Sequence, residues 1–401
     1  TKKFTIKSWR NLIVTNEDGS GERYFESDGV KAVHAKKEWL PAPKPRKLAN
    51  VPGPSQASAG EELSFPIADA NGPQTIGFSP NENFMSFGRR VNTYAAYIKP
   101  VEESYKKTLT VRRYSVVSKV LLREILPEDL EAAKVKPLVV LPQVGNNLQD
   151  HIVVRVEPFT VTDQHYTWSL QRNLSFSDLD QLLYEGKGYA IITPNGFSYI
   201  TSQRAKRENP NWPDLQIIFR FHRPNDPFLG CDAALGRPYS QGTLRFNSSA
   251  IGFEDNNLPI SDPQYFTHPN DVDAIIEVIE FCFKVFEGTQ AFKNIGVKFV
   301  DKPIEECKDM VFRSKDYWTC YIQHRTMSMW HASGTCRMGK LNDRDGSVVD
   351  SKLRVHGVRK LRIIDASIIP RITNANIAAP IPAIAEKIAA NMIEEYSSCS
   401  F

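Results

Sequence analysis

Apolar and polar positions alternate most clearly in the middle of the chain. GYAIIT from Gly188, LQIIFRFH from Leu215 and GTLRFNS from Gly242 are β-branched or aromatic runs with polar interruptions, and such clustered short runs predict an antiparallel sheet. The period then changes to that of a helix. From about Asp271 to Gly288, Val272, Ile275, Ile276, Ile279, Phe283 and Phe286 fall on one side, with Asp271 suited to cap the start and Gly288 to end it. The phenylalanines and Cys282 on that helix read as core. In the last 80 or so residues, KLRIIDAS predicts a short strand ending in Asp365. The loop PRITNAN and a helix over about Ala379–Tyr396 follow, with Ile381, Ile384, Ile388 and Met392 at helical spacing and Pro380 and Pro382 confined to its first turn. Upstream, LTVRRYSVVSKVLL over Leu109–Leu122 predicts a strand and GVKAVHAKK from Gly29 a weaker one, whereas Pro41, Pro43, Pro45, Pro52 and Pro54 make the N-terminal stretch irregular.

Composition narrows the class. The 401 residues are 41% hydrophobic and 24% charged, which is globular and leaves room for two or more domains. Lys+Arg 50 against Asp+Glu 46 leaves +4, with the basic residues scattered, so nucleic acid is not the expected partner. No apolar run reaches the roughly 18 to 20 residues of a bilayer span. The six cysteines contain no CxxC pair, so no metal site is expected. Cys307 and Cys320 bracket the polar stretch ECKDMVFRSKDYWTC and are placed to close a small disulfide. That pairing, with sequons at Asn173 and Asn247, predicts a secreted glycoprotein.

Two places carry candidate chemistry. A strand ending in Asp365, an Asn-rich loop and a helix N-terminus describe a crevice in which α/β folds bind cofactors, the helix start offering N–H groups and partial positive charge. Read alone, Asn374 and Asn376 are turn and cap residues. The segment WHASGTCRMG sets His331 beside Ser333, Gly334 and Thr335 in a small-residue loop. Histidine is the natural proton acceptor near neutral pH, although one His among eight is by itself a partly buried, satisfied side chain. A GxSxG elbow, an HExxH pair and a glycine-rich phosphate loop are all missing from the sequence.

WHASGTCRMG, GSVVDSKLRVHGVRKLRIIDASIIP and NANIAAPIPAIAEKIAANMI together resemble the C-terminal signature of glucose–methanol–choline (GMC) flavin oxidoreductases, most closely their insect, glucose dehydrogenase-like branch. The resemblance continues upstream through GTLRFNSS with ISDPQYF, LPQVGNNLQDHI, LTVRRYSVVSKVLL and GFSPNENFMSFGRRVNTYAAYIKP, from about Gln56 to Tyr396. It implies an α/β and α+β fold in which a partial Rossmann-like FAD-binding domain is joined to an antiparallel-sheet substrate domain with helices. The corresponding division is 1–60 irregular, 61–155 remnant of the FAD-binding domain, 156–325 substrate domain and 326–401 return to the FAD-binding domain. It also implies oxidation of a CH–OH group of an alcohol or sugar, with FAD as cofactor and oxygen or a quinone as electron acceptor. On this resemblance His331 is the proton acceptor and Asn376 holds the substrate oxygen. Val117 would touch the adenine side of FAD, and Asp365, Ala366 and Ala378 would line the flavin. Arg354 and Val355 correspond to positions near the oxygen-access side, and the phenylalanines of LQIIFRF would form the floor under the flavin that selects the alcohol.

The departures are as specific as the match. None of the 22 glycines forms a GxGxxG turn. The chain passes directly from SKVLLRE into ILPEDLEAAKV where the family carries a further small-residue segment ending GIGP, so about fifty residues of the fold are missing there. Ala378 stands where the insect relatives usually carry a second polar residue, and Arg337 and Arg371 add positive charge near the site. The expectation is a sequence that is part of a longer flavoenzyme. The rivals are a flavin-free binding or structural homologue, whose helix and strand would be left with exposed apolar faces, and a hydroxynitrile lyase on the same fold.

Overall fold

The computed structural model describes residues 56–68, 75–80, 85–86, 89–102, 139–162, 175–180, 196–221, 228–247 and 259–397. The strands expected from Gly29, Leu109 and Gly188 lie outside the described residues, as do Val117 and Asn173.

Nine strands matter here: β1 (Gly77–Pro80), β2 (Ile152–Thr160), β3 (Gly196–Ile200), β4 (Leu215–Phe221), β5 (Phe228–Leu235), β6 (Thr243–Phe246), β7 (Pro259–Asp262), β8 (Lys298–Phe299) and β9 (Thr326–Ser328). Seven of them form one sheet in the order β1-β3-β4-β5-β2-β8, with β9 paired to the other end of the same edge of β2. Every pairing is antiparallel, as the alternating pattern predicts. The strand from Gly242 forms, but as β6 it pairs only with β7, in a separate two-stranded ribbon.

The helix expected from Asp271 is α2 (Pro269–Phe286), following α1 (Gln203–Glu208). It begins two residues earlier than expected because Pro269 fits the first helical position and the His268 side chain accepts from Asn270 N at 3.3 Å. Asp271 is not the cap. Fully buried, it accepts from Tyr239 N at 3.0 Å, from Ser240 N at 2.8 Å and Oγ at 2.7 Å, and from Arg204 Nη1 at 2.6 Å. Gly288 follows the Glu287 cap, and a Cβ there would lie 2.3 Å from Lys284 O, so only glycine passes.

One face of the sheet packs on α2. Leu215, Ile217, Phe219, Cys231, Ala233, Leu235, Ile152, Val154 and Val156 meet Ala274, Ile275, Val278, Ile279, Cys282 and Phe286 in the larger core. Successive strand residues point to opposite faces, so Phe219 turns into this core, where it stacks on Phe78 with ring centres 5.7 Å apart. It cannot be a floor for substrate, as expected of the LQIIFRF run. Its neighbours Gln216, Ile218 and Arg220 take the other face.

The expected Cys307–Cys320 disulfide is present, and a second, Cys231–Cys282, ties β5 to α2. A smaller core of Leu141, Val348, Val349, Leu353, Val355, Ile368, Ile369 and Ile388 lies under α4 (Pro380–Ser397), the expected C-terminal helix shifted by one residue; α3 (Lys315–Arg325) belongs to the larger core. The strand expected at KLRIIDAS does not form. Arg362 makes a single bridge to Arg354, and Asp365 caps a short 3₁₀ turn, Ala366–Ile368, accepting from Ser367 N at 2.8 Å. A strand needs a paired neighbour along its length, and one bridge does not supply it. No described helix is long and apolar enough to cross a membrane.

Candidate active site

The site is assembled around a polar run, Asn147-Leu148-Gln149-Asp150-His151, that precedes the apolar strand β2. Four of its five residues are polar and all five are buried, so each polar group must find a partner inside the protein. They find them in two loops. Gln149 and Ser333 exchange backbone bonds, each 2.9 Å, which lays the His331 loop against the run. The Gln149 side chain accepts from Ile372 N at 3.1 Å and donates to Pro370 O at 3.2 Å, gripping the loop that carries Asn376. Asn147 Nδ2 donates to Gly334 O at 3.1 Å, and Gly334 N donates to Ala366 O at 3.2 Å, bringing Asp365 and Ala366 alongside. Gly334 has φ +91°, and a Cβ there would sit 2.4 Å from Asn147 O, which is why this contact requires glycine.

Asp150 fixes the base of the His331 loop. Its carboxylate accepts from His331 N at 2.9 Å and from Tyr265 Oη at 2.6 Å, and it also accepts from Ser328 Oγ. Trp330, with φ +61° and 91% exposed, supplies the left-handed turn that carries the chain from Ser328 back to the Asp150 carboxylate. The His331 ring is half-buried. Its Nδ1 lies 2.7 Å from Nδ1 of fully buried His151, whose Nε2 lies 2.7 Å from Thr373 O in the Asn376 loop. Burial, and secondarily His331, lowers the His151 pKa to about 4; burial also lowers that of His331, against the opposing pull of Asp150. Both rings are therefore neutral at pH 7.

Asn376 is exposed at its loop tip, with Oδ1 accepting from Gln216 Nε2 at 3.2 Å. Gln216, 2% exposed on β4, also donates to Tyr199 Oη at 3.0 Å. His331 and Asn376 thus lie on two loops that the same five-residue run and the same His151 hold together, while the open face of the sheet reaches Asn376 through Gln216. Ala378 is exposed beyond buried Ile377. Arg354 and Val355 lie apart, in and beside the smaller core: Arg354 Nη2 pairs with Asp350 at 2.7 Å and Val355 is buried. Arg337 Nε donates to Gly346 O at 2.7 Å, and Arg371 lies 5.4 Å from the Trp212 ring centre.

Asp150, His151 and Gln216 were not singled out by the sequence reading. The available signal was the polar run itself, set directly before the apolar IVVRV stretch of β2. The start of α4 offers fewer donors than expected, since Pro380 and Pro382 have no N–H, while Ile381 N and Ala383 N bond to Ile377 O at 3.3 Å and Ala379 O at 3.4 Å.

Residues 238–385 match the family described as GMC oxidoreductase. The "Glucose dehydrogenase [FAD, quinone]" of Drosophila pseudoobscura pseudoobscura is 27% identical over 91% of this chain and 66% of its own length. The protein of the same name from Drosophila melanogaster is 27% identical over 82% of this chain and 60% of its own. The chain therefore spans less than two thirds of the length of these relatives. A solved structure of a formate oxidase from Aspergillus oryzae superposes with TM-score 0.68 at 19% identity, covering 85% of this chain and 69% of that one, a likeness of fold. The family match covers the loops that carry His331 and Asn376, and the chain is similar in sequence to the insect glucose dehydrogenases and in fold to the formate oxidase, so a GMC oxidoreductase C-terminal region is what residues 238–385 supply.

Proposed function

We propose that this chain carries the substrate half of an FAD-dependent oxidoreductase that oxidises a CH–OH group of an alcohol or sugar, with His331 as proton acceptor and Asn376 as holder of the substrate oxygen. One observation carries the reading. His331 is held at its backbone N by Asp150 and at Nδ1 by His151, while its Nε2 has no hydrogen-bond partner among the described residues. A neutral, half-buried ring clamped at one nitrogen and open at the other is what a general base requires.

The residues present fit the ring end of a flavin. Ala332 and Ala378 are small, exposed residues on the two loops, and Ala366, next to Asp365, accepts from Gly334 N in the His331 loop; these are the residues that would hold the ring. The diphosphate end is different, because the sequence has no GxGxxG turn and Val117, assigned to the adenine side, lies outside the described residues. Bound FAD would supply the hydride acceptor. The chain's own part is to receive the hydroxyl proton on His331 Nε2, to hold the oxygen on Asn376, and to keep His331 neutral by burial until substrate arrives. Oxygen or a quinone is the proposed electron acceptor. Two disulfides and the Asn247 sequon support a secreted, glycosylated protein.

The test is optical. Purified protein mixed with FAD should retain flavin absorbance after gel filtration and bleach when an alcohol or sugar is added anaerobically. His331→Ala should retain the flavin and lose the bleaching. A protein that stays colourless, or a His331→Ala variant that still bleaches, overturns the reading.

A further inference from the structure

Two side chains behind the site have a definite donor and acceptor geometry. His151 Nε2 faces a backbone carbonyl, Thr373 O, at 2.7 Å. A carbonyl can only accept, so Nε2 must carry the hydrogen. His151 is neutral, so its Nδ1 is then a bare lone pair, and it lies 2.7 Å from His331 Nδ1. Two bare nitrogens at that distance would repel. The hydrogen between them must therefore sit on His331 Nδ1, which leaves His331 Nε2 unprotonated and able to receive a proton. Gln216 does the complementary thing to Asn376. Its Nε2 donates to Asn376 Oδ1 at 3.2 Å, which engages the carbonyl end of the amide and turns the Nδ2 hydrogens outward.

We propose that His151 and Gln216 are positioning residues that set the hydrogen-bond polarity of the His331–Asn376 pair from behind, making it one acceptor and one donor and so complementary to a neutral hydroxyl. The assignment rests on the functional reading of that pair. A hydroxyl gives its hydrogen to His331 Nε2 and accepts from Asn376 Nδ2 with a lone pair. A carbonyl has nothing to offer a neutral His331, and an ammonium group has no lone pair for Asn376. The pair therefore favours an alcohol over its carbonyl product until His331 has taken up the proton, after which Nε2–H donates and the preference reverses. Among the described residues, Asp150 and His151 are the titratable groups that face His331. His151 stays neutral through the cycle because its buried site disfavours the charged form, so the proton stays on His331.

Histidine side-chain ¹⁵N NMR on the whole chain at pH 7.5 decides the matter without any flavin, with the His331 signals assigned by His331→Asn. His331 should appear as a single Nδ1–H tautomer. In His151→Asn, whose amide oxygen can replace the lost Nδ1 acceptor, that pattern should persist. In His151→Gln, whose amide nitrogen reaches Thr373 O but leaves His331 Nδ1 without an acceptor, it should be lost. An Nε2–H tautomer in the wild-type protein, or an Nδ1–H pattern that survives His151→Gln, overturns the proposal. If His151→Gln fails to fold, the wild-type spectrum still decides. For the second half, the Asn376 side-chain amide should exchange with solvent at least tenfold faster than that of Gln216; an Asn376 amide as protected as Gln216 would mean the opposite orientation. Failure to bleach flavin with these NMR results intact would sink the function and spare the polarity, and the reverse outcome would separate them the other way.

Discussion

The sheet with α2 and the C-terminal loops from Trp330 to Ala379 are held together by different means. In the first, apolar side chains recur at periods of 2 and 3.6, Cys231–Cys282 joins the layers, and Phe219, Phe286 and Phe292 fill the interior at 0% exposure. In the second, regular structure is limited to the 3₁₀ turn Ala366–Ile368, and Trp330, Gly334, Asn342, Leu353, Gly357 and Lys360 all have positive φ. Val348 to Ile369 pack in the smaller apolar core, but the stretches that carry His331 and Asn376 are fixed by hydrogen bonds to Asn147, Gln149 and Asp150. Burial of apolar surface is non-directional and makes a scaffold. Hydrogen bonds are directional and fix orientation, which is what a proton acceptor and its partner need. The two regions meet at the start of β2, where the polar run of the site becomes the apolar strand of the core.

The sharpest way to break this contrast is to damage the scaffold at a buried ionic joint. Arg204 pairs with Asp271 at 2.6 Å and with Asp214 at 3.0 Å, and all three are buried. Asp271→Ala leaves Tyr239 N and Ser240 N without an acceptor and takes one partner from a buried guanidinium, which should cost about 3–5 kcal/mol. Urea unfolding should show a lower midpoint for the whole molecule. A loss under about 1 kcal/mol would mean that the buried ionic joint adds nothing to the apolar packing.

Acid should act next, and on the site. The folded-state pKa of His151, about 4, lies below its ordinary 6.5 because burial opposes the charged form. The unfolded chain binds the proton more readily, so this contribution is complete above pH 6.5 and is lost as pH falls from there towards 4. By linkage it amounts to about 3 kcal/mol at most. Urea midpoints at pH 7 and pH 4.5 should fall further apart in the wild type than in His151→Asn, which cannot titrate there. Equal pH dependence in both would place the acid sensitivity elsewhere.

The two regions also differ in how legible they were. The strand β4 in an antiparallel sheet, the span of α2 to within two residues and the Cys307–Cys320 bridge follow from periodicity and spacing, whereas β5, its neighbour, was not read from the sequence. The facing of Phe219 was open to the same reasoning: in the Leu215 run, alternation places Phe219 with Leu215 and Ile217, and opposite Gln216 and Arg220. KLRIIDAS has the composition of a strand but no neighbour to pair along its length, and composition carries no information about neighbours. His331 and Asn376 came from a resemblance. That His331 bonds to His151, 180 residues away in sequence, depends on the path of the chain between them, which no local pattern encodes.

The smallest of these effects tests whether glycine is required in the loops and dispensable in the sheet. Gly334, with φ +91°, would place a new Cβ 2.4 Å from Asn147 O, an atom that cannot retreat without disturbing the polar run. Gly334→Ala should therefore cost about 1–3 kcal/mol, and the cost should be local: hydrogen-exchange protection falls at Gln149 N and Ser333 N while the strands of the sheet keep theirs. Gly230 in β5 is the control. A Cβ there meets Glu157 Oε2 at 3.1 Å, the far end of a flexible side chain, with no positive φ to strain. Gly230→Ala should be near neutral, within about 0.5 kcal/mol. If the two substitutions cost the same, or if Gly334→Ala lowers protection in the sheet as much as in the loop, the loops are part of the scaffold and the division between packing and orientation does not hold.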